Sequence, residues 1–256
     1  MVLDDLDYRW ALGVNIRIGG MWHAGSYDPQ DFLGRLIGDK PWVRNAERSM
    51  YECYDDNFFA TDFHINMFEE SFREIMVEHE PIRVGWPMEY LANSLEQYKG
   101  MPKKDLILFP HRIAPEKQVD IFRDLKEQLP QYEFLVCQDQ ELSKNEYHNL
   151  LGEAKLVFSA NLQETLGISW YEGALVGALP MVPDRLSYSE MALKEFSYPS
   201  DWSESFKTYN REMLVAKIID YMENYDTYLP ALIKQVEKLK NDFFSGQALY
   251  KEIKNV

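Results

Sequence analysis

At 256 residues the chain can form one large or two small domains with their own cores, and 46% hydrophobic with 14% aromatic content marks it as globular rather than disordered. A formal net charge of −15 opposes general binding to DNA, RNA or an anionic membrane, while leaving room for a local basic groove. Cys53 and Cys137 stand far apart without CxxC spacing, the acidic start lacks a signal-peptide core, and no apolar run reaches the roughly 20 residues of a membrane span, so a reduced, cytoplasmic protein is expected.

Residues 3–13 read as a short helix ending at Gly13. The stretch 15–24 reads as a strand that carries His23 at its C-terminal end, and 25–34 is a turn-rich loop. A helix is expected over 41–55, with Trp42, Ala46, Met50 and Cys53 or Tyr54 on its buried face. NFFATD (57–62) is a buried strand. Residues 64–76 are an amphipathic helix with Ile65, Phe68, Phe72 and Met76 in register, and IRVGWP (82–87) is a strand closed by proline. Three strands are too few for a full doubly wound domain.

Between 89 and 104 the composition turns polar, with Gly100 and Pro102, and this stretch reads as an interdomain linker. DLILFP (105–110) is a central strand followed by the loop HRIAPEK. One helix is expected from Pro115, a residue suited to a first turn, to Leu129, with Val119, Phe122 and Leu125 facing in. YEFLVC (132–137) is a strand and 144–152 a short helix. AKLVFSA (154–160) is a strand covered on both faces, NLQETLG (161–167) a turn-forming loop, ISWYEGALVGA (168–178) a helix rich in small residues, and LPMVP (179–183) a second buried strand. Helices are expected at 187–196 and within 203–245, and the last residues form a helical tail. Repeated strand–helix units imply a parallel sheet with helices on both faces.

Chemistry concentrates after two strands. A loop between a parallel strand's C-terminal end and a helix N-terminus is where open α/β sheets bind ligands, and the first helical turn offers unpaired N–H groups that suit a phosphate. Glu164 and Glu172 flank such a turn with E-x(7)-E spacing. Spacing alone would make them two solvated acids. Their place between two buried strands, after a loop ending in Gly167, argues for a ligand. Arg112 and Lys117 read either as surface cations or, beside the 154–160 strand, as two cations for a diphosphate without a metal. A lone His23 is more often structural, but a strand end facing a cleft favours function. Asp28 and Asp62 do not separate from turn and cap residues. No His/Cys/Asp set has ligand spacing, so no metal is expected. The absence of GxSxG, GxxxxGK[ST] and GxGxxG removes support for serine hydrolases, P-loop NTPases and dinucleotide oxidoreductases. Lys234, Lys238, Lys240, Lys251 and Lys254 are interleaved with acids, which is a solvated face.

HRIAPEK and SANLQETLGISWYEGALVGALPMVP together resemble the C-terminal half of retaining glycosyltransferases of the GT-B fold, most closely glycosyltransferase family 4, with the strongest match over 105–185. The resemblance implies that Arg112 and Lys117 hold the donor diphosphate. Glu164 contacts the sugar hydroxyls, Glu172 the nucleotide ribose, and the backbone of Thr165, Leu166, Gly167 and Ile168 the sugar and phosphate. MWHAGSYD is similar to the family strand whose histidine lies beside the donor sugar, which implies a catalytic role for His23 alongside Glu164. ERSMYECYDDNFFATDFHINMF resembles later elements of the same domain, IRVGWP the strand leading to the interdomain linker, and DRLSYSEM (184–191) a subset including phage-type and tRNA-modifying relatives.

The fold implied is α/β and GT-B-like, with two Rossmann-like domains facing a cleft. They are a truncated N-terminal domain (1–88), the linker (89–104) and a nucleotide-sugar-binding domain with helical tail (105–256). The His-bearing strand begins nearer the start than in the family, which fits a shortened reading frame, a minimal enzyme or a half supplied by a partner. The function implied is retaining, metal-independent transfer from a nucleoside diphosphate sugar, with no cofactor, to an acceptor left open among saccharide, lipid, small molecule and modified nucleic-acid base. The alternatives are a non-catalytic nucleotide-sugar-binding subunit or sensor, and a sugar-nucleotide epimerase or hydrolase on the same fold. A half-sized first domain leaves a sheet edge or apolar face uncovered, so a homodimer is expected.

Overall fold

The structure is a computed structural model that describes residue 13 and residues 16–37, 40–75 and 79–254. The chain divides into two units, Met1–Pro87 with Ser245–Val256, and Met88–Phe244. The helix expected over 3–13 lies outside the described residues except for Gly13, as does Met76.

In the first unit, strands β1 (Gly19–Met21), β2 (Asp56–Phe59) and β3 (Pro81–Arg83) form a parallel sheet in the order β1-β2-β3. Helices α1 (Phe32–Ile37), α2 (Pro41–Cys53) and α3 (Asp62–Phe72) connect them. The 25–34 stretch is therefore a loop only in its first part. An aromatic cluster forms the core, with Trp22 stacked on Phe59 at 6.0 Å and Tyr51 on Phe68 at 5.0 Å. The buried face of α2 is Val43, Glu47 and Tyr51, not the Trp42 face read from the sequence; Trp42 is 66% exposed. The reason is a polar residue in the core. Glu47 accepts from the amide of Ser26 at 2.6 Å and from its hydroxyl at 2.7 Å, so the carboxylate is buried with its hydrogen bonds made.

The second unit carries a five-stranded, all-parallel sheet in the order β5-β4-β6-β7-β8. Its strands are β4 (Lys104–Phe109), β5 (Glu133–Val136), β6 (Ala154–Phe158), β7 (Leu179–Pro183) and β8 (Ser197–Tyr198). Of the 89–104 stretch read as a linker, most belongs to this unit's folded structure. Helix α4 (Tyr90–Ser94) and the turn Glu96–Tyr98 are anchored by buried Leu91, Leu95 and Tyr98, spaced as one helical face within a polar segment. The tail helix, α11 (Gln247–Lys254), groups with the first unit rather than the second.

Between β4 and β5 the chain forms a 3-10 turn, Pro115–Lys117, and then helix α5 (Val119–Gln128). The single helix expected from Pro115 is broken at Gln118, whose left-handed backbone (φ 52°, ψ 45°) cannot continue it. Helix α6 (Lys144–Glu153) opens on a reciprocal cap between Ser143 and Glu146. Helix α7 (Ile168–Leu175) packs tightly on β6, because a Cβ at Gly173 would stand 2.6 Å from Cγ2 of Val157. The helix expected at 187–196 is one turn, α8 (Tyr188–Met191), since the chain must extend again to pair as β8. Helices α9 (Arg211–Glu223) and α10 (Tyr225–Lys238) complete the unit. No helix among the described residues is long and apolar enough to cross a membrane.

Candidate functional site

Strand order places the site. From β4 the chain moves to β5 on one side, then crosses back to β6 on the other, so the loops after β4 and β6 diverge at their C-terminal ends. Such a divergence is the crevice where doubly wound sheets bind ligands. Strands β4 and β6 pair directly through Ile107 with Leu156 and Leu108 with Val157. The loop after β4 carries His111, Arg112 and the Lys117 turn, and the loop after β6 carries Asn161 through Gly167.

These loops meet at Lys117 and Glu164. The Lys117 Nζ atom, in a residue only 6% exposed, donates to the carbonyl of Gln163 at 2.5 Å and lies 3.4 Å from Oε2 of Glu164. The same carboxylate accepts from Asn161 Nδ2 at 3.2 Å and, through Oε1, from the amide of Gly167 at 3.0 Å. Burial pushes the Glu164 carboxyl up, but the Lys117 ammonium and the amide of Leu166 outweigh it and hold the group below the ordinary range. Gly167 takes the left-handed conformation (φ 77°) that turns the loop into α7, and a side chain there would strike Trp170 and Tyr188. No side chain caps the start of α7, which leaves first-turn N–H groups of Ile168 and its neighbours for another acceptor. Thr165 and Leu166 are buried.

Arg112 is half exposed and paired with a buried acid. Its Nη2 donates to Glu116 Oε1 at 2.6 Å, and the Glu116 side chain is fully buried. Both expected phosphate-binding cations thus have carboxylate partners, Glu116 within the same loop for Arg112 and Glu164 from the loop after β6 for Lys117. Glu172, inside α7, accepts from the Tyr147 hydroxyl at 3.0 Å, and burial raises its carboxyl above the ordinary value against the pull of Tyr147 and Lys144. Tyr147 also lines a cavity of about 370 Å³ with Pro110, His111, Arg112, Gln138 and Lys144, between the ends of β4 and β5. A larger cavity of about 860 Å³ runs along edge strand β5, and none of its lining residues belongs to the loop after β4 or the loop after β6.

The structure adds residues that sequence reasoning missed. His111 is buried, and desolvation together with the nearby Lys117 lowers its pKa to about 3, so it is a neutral ring throughout the working range. The Tyr188 hydroxyl accepts from Asn161 Nδ2 at 2.9 Å and lies 3.1 Å from Ser159 Oγ. Gln118 and Arg185 bond to loop carbonyls. Tyr188 and Arg185 belong to the DRLSYSEM stretch, whose two large polar residues flanking a short turn were the available signal.

His23 stands in the first unit, two residues beyond β1. It is exposed, with its ring 5.0 Å from that of Trp86 beyond β3. His64 lies near enough that His23, after burial, contributes to lowering its pKa to about 3, and its Nε2 is 2.6 Å from the Tyr27 hydroxyl. Asp28 is buried after β1, and Asp62 opens α3 and pairs with Arg83 at 3.5 Å. No group of three or more acids, histidines and cysteines among the described residues could hold a metal ion.

The chain has an α/β fold of the GT-B type, and its neighbours among solved structures are GT-B glycosyltransferases. HepE from Anabaena, solved with UDP and glucose, matches with a TM-score of 0.62 at 12% identity, over 100% of this chain and 75% of that one. The pneumococcal O-GlcNAc transferase GtfA, solved with UDP and GlcNAc, matches with a TM-score of 0.63 at 13% identity, over 93% of this chain and 52% of its own. TarM matches with a TM-score of 0.61 at 13% identity, over 94% of this chain, which spans 50% of TarM. No protein-family model and no curated protein matches the sequence.

Proposed function

We propose that the chain is a nucleotide-sugar-dependent glycosyltransferase of the family 4 type, which transfers with retention and without a metal. The observation that carries this reading is the convergence of the Lys117 ammonium, the Glu164 carboxylate and the uncapped start of α7 at the β4–β6 crevice. A bond to a diphosphate leaving group breaks with charge building on phosphate oxygen, and fixed donors in a partly dry crevice stabilise that charge better than water does. Lys117, Arg112 and the backbone of Thr165 to Ile168 take that task. For Arg112 the buried Glu116 keeps the guanidinium aimed while its outer edge stays exposed.

Glu164, held ionised, accepts hydroxyls of the donor sugar. Glu172 accepts the ribose, and the cavity beside Tyr147 takes the nucleoside. UDP in the HepE and GtfA structures supports a nucleoside diphosphate as leaving group. The catalytic role of His23 rests on the family resemblance. Acceptor attack on the face that the phosphate leaves, with phosphate oxygen taking the acceptor proton, accounts for retention without a separate base.

Calorimetric titration with UDP, GDP, ADP and their sugars, in the absence of metal, tests the reading. One diphosphate is expected to bind in the micromolar range. Lys117→Ala is expected to weaken it at least tenfold, the size of a lost hydrogen bond to a charged group, and to abolish transfer with the circular dichroism spectrum unchanged. Full activity in a folded Lys117→Ala chain would overturn the assignment.

A further inference from the structure

We propose that Gln118 and Arg185 form a clamp that sets the spacing between the Lys117 turn and the loop after β6, and so positions the groups that hold the diphosphate. The inference rests on the donor-binding reading above. Two carbonyls are gripped twice. That of Ala160 accepts from Gln118 Nε2 at 2.7 Å and from Arg185 Nη2 at 2.8 Å. That of Ser203 accepts from the same two atoms at 2.7 and 3.1 Å. Arg185 Nε then donates to the carbonyl of Asn161 at 2.7 Å, and its Nη1 to that of Ser200 at 3.0 Å. Every one of these acceptors is a neutral backbone oxygen, so the guanidinium serves as a rigid fork rather than as half of an ion pair.

The clamp lies one residue from the chemistry on each side. Gln118 follows Lys117 directly, and Asn161, held at its carbonyl by Arg185, places its amide on Glu164. The backbone supplies an independent sign. Among the described residues the non-glycines with left-handed φ are Gln118 (52°) and Leu186 (58°), the latter next to Arg185. Strained conformations of this kind persist where the surroundings over-determine them, and they gather at functional sites. Glycine would hold φ 52° at position 118 without strain. A glutamine there is accounted for by what its side chain reaches.

The test separates positioning from stability. The diphosphate that the wild-type chain binds from the panel UDP, GDP and ADP is titrated into four variants, and the thermal midpoint of each is measured. Gln118→Gly relieves the strain and removes the carboxamide. Gln118→Asn keeps a residue that tolerates the left-handed region, but its side chain is one methylene too short to span both carbonyls. Arg185→Lys replaces the fork with a point charge. The expected result is that Gln118→Gly and Gln118→Asn melt no lower than wild type yet bind the diphosphate about tenfold more weakly or worse, as misplaced groups do, with Arg185→Lys weakened likewise. Lys117→Ala reports on the underlying reading. If Lys117→Ala loses binding while both Gln118 variants bind as tightly as wild type, the clamp is wrong and the donor site stands. If Lys117→Ala binds undiminished, or wild type binds none of the panel, the donor reading fails and the clamp with it.

Discussion

Glu164 and Glu172 belong to one motif and are driven in opposite directions. Lys117 and loop amides hold Glu164 ionised against its burial, whereas burial prevails at Glu172 and favours its neutral form. The consequences for stability have opposite signs. Glu164 contributes stability that is present above the unfolded carboxyl pKa and is lost as pH falls through its depressed folded value. Glu172 binds its proton more tightly folded than unfolded, so its contribution is fully present below the unfolded value and is lost as pH rises through the raised one. Loss of the Glu172 proton as pH rises through that raised value therefore costs stability, which a ribose hydroxyl bound to the carboxylate would recover. Glu172→Gln is expected to raise the thermal midpoint at pH 7, to leave it unchanged at pH 4, and to weaken nucleoside diphosphate binding about tenfold, as for one lost charged hydrogen bond. Scanning calorimetry at the two pH values checks the first part and titration the second; a midpoint lowered equally at both would contradict the assignment.

At the scale of elements, α7 decides the geometry, because its N-terminus faces the crevice and its body is seated on β6. Gly173 sets that seating, since Val157 leaves no room for a Cβ and, β-branched and buried, has little freedom to turn aside. Gly173→Ala is expected to cost about 1–3 kcal/mol in chemical denaturation, the usual range for overpacking, and to weaken diphosphate binding by shifting the first turn. An unchanged denaturation midpoint would show that the helix can lift freely. This β6–α7–β7 unit was legible in the sequence because each strand is an unbroken apolar run and the helix between them has small residues where it touches the sheet. Elsewhere local pattern and tertiary demand disagree. The break at Gln118 was hidden because nothing in PEKQVD announces a left-handed residue when neither glycine nor asparagine stands there. The buried face of α2 was misassigned because Glu47 is charged, and only the loop bearing Ser26, distant in sequence, makes its burial affordable. Arg112, Lys117 and Glu164 stand out as candidates because they follow strand ends, and Glu172 because it lies one turn inside the helix after one. Asn161 does not, because its partners leave no spacing of their own, and for Tyr188 and Arg185 the one signal was a pair of large polar residues flanking a short turn in DRLSYSEM.

At the scale of the molecule, 42 acids against 27 lysines and arginines give a net charge of −15, and this field would act on the proposed diphosphate ligand, itself an anion. The local cations do little to offset it at a distance, since Lys117 is paired with Glu164 and Arg112 with Glu116. They act once the diphosphate is within hydrogen-bonding reach. The two ranges separate by ionic strength: the screening length is about 30 Å at 0.01 M salt, so the whole acidic surface repels the ligand, and about 8 Å at 0.15 M, so only the crevice is felt. Association of the diphosphate is therefore expected to become faster as salt rises over this interval, the reverse of a ligand steered in by an attractive field. Dissociation, governed by short contacts in a partly buried crevice, should change much less. Stopped-flow measurements across the series check both rates. An association rate that falls with salt would mean that the crevice projects a positive potential beyond its own walls, and that Arg185, which hydrogen-bonds to backbone carbonyls, outweighs the surrounding acidic surface.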